Sequence, residues 1–311
     1  MALRFLVEEE LTSNLLHFTP NLLLLSYTNR AVDEICAMLE DAGLDYIRIG
    51  NDTSCDPRFA GQWFENMLGE KPKLDAIRQR IEAMPIIVGT TSMLQARPFI
   101  FQLKHFSLCI VDEASQILEP GLVGLLASDR IDRFILIGDH KQLPAVVQQS
   151  EEESRVDDPL LTAIGITDCR QSLFERLLKW EHSQGRTQFT GILRKQGRMH
   201  PDIAAFPNEM FYPHERLEPV PLAHQTDTSL HYDLPSEDAI DEVLKQRRMV
   251  FIDAGTHETF SDKTNPAEAR IVADLLRRIY RFYGDRFDAA KTVGVIVPYR
   301  NQIAMIRHEI E

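Results

Sequence analysis

An apolar run at residues 108–116, LCIVDEASQ, stops on two adjacent carboxylates, Asp112 and Glu113. A carboxylate at the end of a buried strand can hold Mg2+, usually through water, beside the phosphates of a nucleotide. Its neighbour can then take a proton from an attacking water. The same pair also fits a strand end running into an N-capped helix, with both acids simply solvated. A second run ends in the same way. LIGDHKQLP, residues 136–144, carries Asp139 at its strand end and Gln142 in the polar turn closed by Pro144. A glutamine amide can bond a water and a phosphate oxygen together, and so report whether a terminal phosphate is present; a plain surface turn is the alternative. RKQGRMHP, residues 194–201, adds Arg198, whose planar fork of donors suits charge developing on a transferred phosphoryl group. An ordinary basic loop before Pro201 would read the same, and His200 by itself fits a structural role. Two acid-tipped runs in one chain coincide by accident far less readily than either alone.

Such chemistry requires the strand ends to share one edge. Five runs read as buried strands: LLLLS, YIRIG, PIIVGTT, FSLCIVDE and RFILIGD. Runs that are apolar throughout and separated by helical segments predict a parallel sheet covered on both faces. Ligands bind beyond the carboxyl ends of such strands, and Ser26, Thr90, Asp112 and Asp139 each follow a strand-like run. Among the helical segments, Ala2 to Leu11 has apolar residues at Leu3, Leu6, Val7 and Leu11. YTNRAVDEICAMLEDAGL has a stripe of Ala31, Ile35, Met38 and Leu39 with Gly43 as its stop. Asn51 to Met84 is polar and helical in part, QQSEEESRVDDP reads as an exposed acidic loop, and SLFERLLKWEHSQG is a helix. A second series then begins with strand-like TQFTGIL and RMVFIDAG, the helix NPAEARIVADLLRRIYRFYG and strand-like TVGVIVPYR. Between them, Pro207 to Pro235 is proline-rich and irregular. This alternation predicts an α/β chain of two domains, 1–185 and 186–311.

The bulk composition narrows the class. With 44% hydrophobic and 26% charged residues, the chain is that of an ordinary globular protein. No apolar run approaches the length needed to span a bilayer, and the N-terminus lacks the pattern of a secretory signal. Four scattered cysteines without a C-x-x-C pair predict free thiols in a reducing, cytoplasmic setting. A net charge of −13 argues against a uniformly basic, nucleic-acid-coating surface but allows a local basic groove.

The segments SYTNRAVDEI, VGTTSML, VDEASQ, GDHKQLP, RKQGRMHP and VPYRNQ occur in this order and at suitable intervals. They resemble motifs Ia, Ic, II, III, IV and the segment before motif V of the class B superfamily 1 DNA/RNA helicases. NPAEAR, with Asn265, Glu268 and Ala269, resembles a further pattern of that family. The resemblance implies two RecA-like domains that bind ATP with Mg2+ and hold single-stranded DNA or RNA. It implies that Asp112 holds Mg2+, Glu113 activates water, Gln142 senses the γ-phosphate and Arg198 is an arginine finger. Asp139 and Glu268 fall at nucleotide-facing positions by the same resemblance. Asn29, Thr90, Thr91, Tyr299 and Arg300 fall at positions that touch the nucleic-acid strand, although Thr90 and Thr91 also fit plain strand-end turns.

Two departures accompany it. The sequence has no G-x-x-x-x-G-K-[ST] phosphate loop and no Gly-Lys pair at all. The expectation is a first RecA-like domain without that loop and a partial second one, cut at both ends from a parent that carries further helicase segments or fused domains. The family usually has Gln-Tyr-Arg where this chain has Gln196, Gly197 and Arg198, which removes a candidate stacking surface. A non-catalytic nucleic-acid-binding or scaffold fragment is the alternative from another class. An ATPase that serves a nuclease or defence system without unwinding is a third.

Overall fold

The computed structural model describes residues 20–50, 53–69, 72–230, 232, 234–255 and 263–311. The helix expected from Ala2 to Leu11 lies outside them. The chain forms two compact units, Met1–Gly191 and Ile192–Glu311.

In the first unit the five apolar runs form one sheet in the order β2-β3-β1-β4-β5, with every pairing parallel. The strands are β1 Leu22–Ser26, β2 Tyr46–Ile49, β3 Ile86–Thr90, β4 Leu108–Asp112 and β5 Phe134–Leu136. Parallel strands need a crossover each, and those crossovers cover both faces, so each strand is apolar on both sides. On one face Leu22, Leu24, Ile86, Val88, Leu108 and Ile110 pack with Val32, Ile35, Cys36 and Leu39 of helix α1 (Asn29–Asp41). On the other, Leu23, Leu25, Ile87, Cys109 and Val111 pack with Ile81, Leu94, Ile100 and Leu173. These come from α2 (Leu74–Ala83), α3 (Thr91–Gln95), a short helix at Phe99–Leu103 and α4 (Leu173–Ser183). The parallel α/β sheet expected from the apolar runs is therefore present. The polar segment after Asn51 is helical in part, and the acidic loop holds a short helix, Glu151–Ser154, closed by a Ser150–Glu153 capping box.

The second unit departs from expectation. TQFTGIL, RMVFIDAG and TVGVIVPYR form no strand among the described residues, and Phe251 and Ile296 are 92% and 98% exposed. An apolar run supplies a face for a strand but not the neighbouring N–H and C=O groups that make it one. A parallel pairing in this unit joins β6 (Lys195–Gln196) and β7 (Glu218–Pro219). The segment Pro207 to Pro235 is less irregular than its prolines suggest, since it contains β7 and a short helix, α6 (Ala223–Thr226). The longest described helix, α8 (Pro266–Tyr283), is capped by Asn265, whose Oδ1 accepts from the N–H groups of Ala267 and Glu268. The last helix is α9 (Arg300–Ile310). No described helix is long and apolar enough to cross a membrane.

Candidate functional site

The register of the sheet sets the site of the first unit. Ser26 of β1 lies level with Thr90 of β3 on one side and Asp112 of β4 on the other. The Ser26 hydroxyl donates to the Asp112 carbonyl at 3.2 Å, which ties the two strand ends together. Three of the four polar strand-end residues therefore stand side by side.

The fourth, Asp139, joins through a serine that sequence reasoning had not singled out. Ser115 is buried, and its Oγ accepts from the Asp139 N–H at 3.1 Å. The two loops also share a backbone bond from Ala114 N–H to the Ile137 carbonyl at 2.8 Å. They can approach this closely only because residue 138 is glycine: a Cβ there would lie 2.8 Å from the Ser115 backbone nitrogen. Asp139 in turn organises its own turn, accepting from the Lys141 N–H and from Gln142 Nε2, both at 3.0 Å. Gln142 is thus held by one end of its amide.

Burial, above all, raises the Asp112 pKa over the ordinary aspartate value; the Glu113 backbone N–H opposes the shift and the Glu34 charge adds to it. Glu113 adopts a left-handed conformation, φ 55° and ψ 35°, which is uncommon for a residue with a side chain. Its Oε2 accepts from Gln116 Nε2 at 2.9 Å. The expected acids, amide and strand ends in this unit are brought together.

The positions expected to touch a strand differ among themselves. Asn29 opens α1 just after Thr28, whose hydroxyl caps the helix by accepting from the Ala31 N–H. Beneath it lies Arg48, fully buried in β2 and unforeseen as a site residue. It bonds Asp33 at 3.0 Å, Cys36 Sγ at 3.6 Å and the Asn29 carbonyl at 3.5 Å, fastening the start of α1 to the sheet. A lone arginine within YIRIG, with an acid on the facing helix, was its signal in the sequence. Thr90 and Thr91 are only 6% and 3% exposed, and Thr90 Oγ1 caps α3 by accepting from the Met93 N–H. The Thr90 side chain serves the turn.

The candidate residues of the second unit are described there by themselves. Arg198 is exposed, and its guanidinium has no hydrogen bond or ion pair among the described residues. Glu268 is exposed in the first turn of α8, and Tyr299 and Arg300 are exposed at the start of α9. The two helix starts are joined by Gln302, nearly buried, whose amide exchanges two bonds with the Asn265 backbone at 2.7 and 2.9 Å. His200 caps helix α5 (Pro201–Met210), its Nδ1 accepting from the Asp202 N–H at 3.1 Å. It is a structural residue here. Cys36, Cys55 and Cys109 are buried free thiols, and Cys169 is an exposed one.

Comparison with known proteins agrees with the fold. Two family models described as AAA domain match the chain, one over residues 68–150 and one over residues 169–311. The chain is 29% identical to the DNA replication ATP-dependent helicase/nuclease JHS1 of Arabidopsis thaliana, covering 93% of this chain and 20% of that protein. It is 31% identical to the DNA replication ATP-dependent helicase/nuclease DNA2 of Xenopus laevis, covering 92% of this chain and 26% of that protein. An ATP-dependent helicase of Methanocaldococcus jannaschii is 29% identical over 73% of this chain and 30% of its own length. The chain therefore spans a fifth to less than a third of the length of these three relatives. With tandem AAA-domain matches over a parallel sheet whose carboxyl edge aligns Ser26, Thr90 and Asp112, the chain belongs to the superfamily 1 helicases.

Proposed function

We propose that this chain is the core of a class B helicase whose intact parent couples ATP hydrolysis to movement along single-stranded nucleic acid. The alignment of Ser26, Thr90 and Asp112, with Asp139 and Gln142 joined to them through Ser115, supports this reading most strongly. We take the strand to be DNA in preference to RNA, because the relatives' names place them in DNA replication. The parent's further helicase segments or fused domains are its other partners.

The residues present fit Mg2+. A half-buried carboxylate with a raised pKa gains from a hard cation, and Mg2+ takes one or two protein carboxylates, leaving its remaining positions to water and phosphate. Asp112, at the end of β4, is the carboxylate that would hold it. When bound, ATP with Mg2+ supplies the phosphoryl group whose hydrolysis drives the cycle. The fit to ATP itself is partial: the residues described supply no Gly-Lys loop for its β- and γ-phosphates. The 311-residue chain is expected to hydrolyse ATP weakly or not at all.

Glu113, with Oε2 steadied by Gln116, is the carboxylate placed to accept a proton from water. Gln142, with Nε2 occupied by Asp139, keeps Oε1 to orient a water. Arg198 offers an unpaired guanidinium for charge on the phosphoryl oxygens, and Glu268 lies on the nucleotide-facing turn of α8. Asn29, Tyr299 and Arg300 contact the strand without reading its bases, with Thr90 and Thr91 ordering the turn beside them. Free thiols suit a reducing, intracellular setting.

The test is the affinity of the purified chain for fluorescent single-stranded DNA, with and without millimolar ATP and Mg2+. Affinity is expected to change several-fold with nucleotide. Equal affinity in both states would identify a passive nucleic-acid binder instead.

A further inference from the structure

Arg198 contrasts with those arginines of its unit that are committed to partners. Arg278 and Arg281 are spent on ion pairs with Asp238, Asp241 and Glu237, and Arg248 on the Asp227 and Ser229 carbonyls. Arg198 is left exposed and unpaired among the described residues, yet the backbone that carries it is tightly fastened. Gln196 folds over its own loop: its Oε1 accepts from the N–H groups of Arg198 at 2.9 Å and Met199 at 2.7 Å, and its Nε2 donates to the Met199 carbonyl at 2.7 Å.

A second glutamine reaches the same loop from α6. Gln225 Nε2 donates to the carbonyls of Gln196 and Met199, both at 2.9 Å, spanning the two residues that flank Gly197 and Arg198. The neighbouring His224 places Nε2 3.0 Å from the Gly197 carbonyl. Gln225 is 2% exposed, and its Oε1 is buried with no partner. Both atoms that it faces are acceptors, so only the NH₂ end can point at the loop. The carbonyl end is stranded as a result. A buried, unsatisfied carbonyl is a cost, and a methionine of similar shape would avoid it. The donor end of this side chain is the feature that offsets that cost.

We infer that Gln225, assisted by His224, is a positioning residue for Arg198. It clamps the carbonyls on both sides so that the guanidinium projects from a fixed base rather than a mobile loop. The inference rests on the phosphate-facing reading of Arg198 given above. A cation that meets developing charge is worth most when it needs no reorganisation at that moment.

The experiment compares the purified chain with Gln225→Met, Gln225→Glu and Gln225→Lys by hydrogen exchange over residues 194–210. Met keeps the shape without a donor, Glu offers only acceptors, and Lys restores donors at a similar reach. The amides of Arg198 and Met199 are expected to exchange about tenfold faster in the Met and Glu variants. Those of α5 should be unchanged, and Lys should recover most of the protection. Unchanged loop exchange in the Met variant, or equal acceleration throughout α5, would overturn the inference.

A second arm uses the nucleotide-dependent strand affinity. Gln225→Met should reproduce the loss seen in Arg198→Ala, and the double variant should add nothing. An effect of Arg198→Ala that Gln225→Met fails to reproduce overturns the inference alone. No effect of Arg198→Ala overturns the phosphate-facing reading together with it.

Discussion

Asp112 occupies the last position of β4, where burial disfavours its charged form and raises its pKa. A carboxyl whose folded pKa exceeds its unfolded value stabilises the fold below the unfolded pKa and loses that contribution as pH rises through the folded one. Carrying the charged form is therefore a stability cost above the unfolded aspartate value. Asp112→Asn is expected to raise the melting temperature at pH 7 by a few degrees, corresponding to roughly 1 kcal/mol or less. The gain should vanish at about pH 3, below the unfolded aspartate value of about 3.9. Thermal melts at the two pH values check this, and a variant no more stable at pH 7 would contradict the assigned burial cost. Glu113, beside it and proposed to accept a proton, holds an unfavourable left-handed backbone conformation. Strain of that kind persists only where surrounding bonds over-determine it, here Ala114 N–H to the Ile137 carbonyl and Gln116 Nε2 to Glu113.

The site of the first unit is made by elements meeting at one edge. Parallel register brings three strand ends level, and the β4 and β5 loops then close on each other through Ser115 and Gly138. That closure has one steric condition. Gly138→Ala would set a Cβ 2.8 Å from the Ser115 backbone nitrogen, an atom that cannot rotate away. The expected result is a destabilisation of about 1–3 kcal/mol in urea melts followed by tryptophan fluorescence. Both tryptophans, Trp63 and Trp180, lie in this unit and so report on it. The Asp139–Ser115 bond should fail with it, uncoupling the Gln142 turn from the Asp112 loop. Helix α1 shows the same dependence on a neighbour. Its start, with Asn29, is held by the buried Arg48–Asp33 pair and the Thr28 cap, so the placement of Asn29 is decided in β2.

At the scale of the whole molecule, the two units are held by different means. The first buries a continuous apolar core on both sides of five strands. The second has a two-stranded pairing and relies more on polar ties, chief among them the ion network between α7 (Ala239–Gln246) and α8. Asp241 is fully buried there, bonded by Arg278 and Arg281. Arg278 also holds the Asp238 pKa down to about 2. A depressed carboxyl stabilises the fold above its unfolded pKa, and that contribution is lost as pH falls through the folded value. Stability of this unit should therefore decline between about pH 4 and pH 2. Arg278→Met should lower it at neutral pH and flatten the acid decline, read by hydrogen exchange in residues 239–246 and 266–283. An unaltered acid profile in the variant would assign the decline to other groups.

The sequence by itself determined the parallel sheet of the first unit, its five strands and the polar residues at their ends. Unbroken apolar runs and turn-forming punctuation are local signals that survive without knowledge of neighbours. It also carried the family, through six short segments in order. Tertiary structure decided what depends on two distant residues meeting. Strand register levels Ser26, Thr90 and Asp112; backbone approach gives Gly138 its necessity; the burial of Arg48 makes it an anchor instead of a surface charge. Burial of Thr90 and Thr91 at the end of β3 depends on tertiary packing in the same way. The apolar runs of the second unit show the converse, because a strand exists only where another backbone pairs with it. Residues 249–252 and 293–297 carry the pattern without that partner among the described residues.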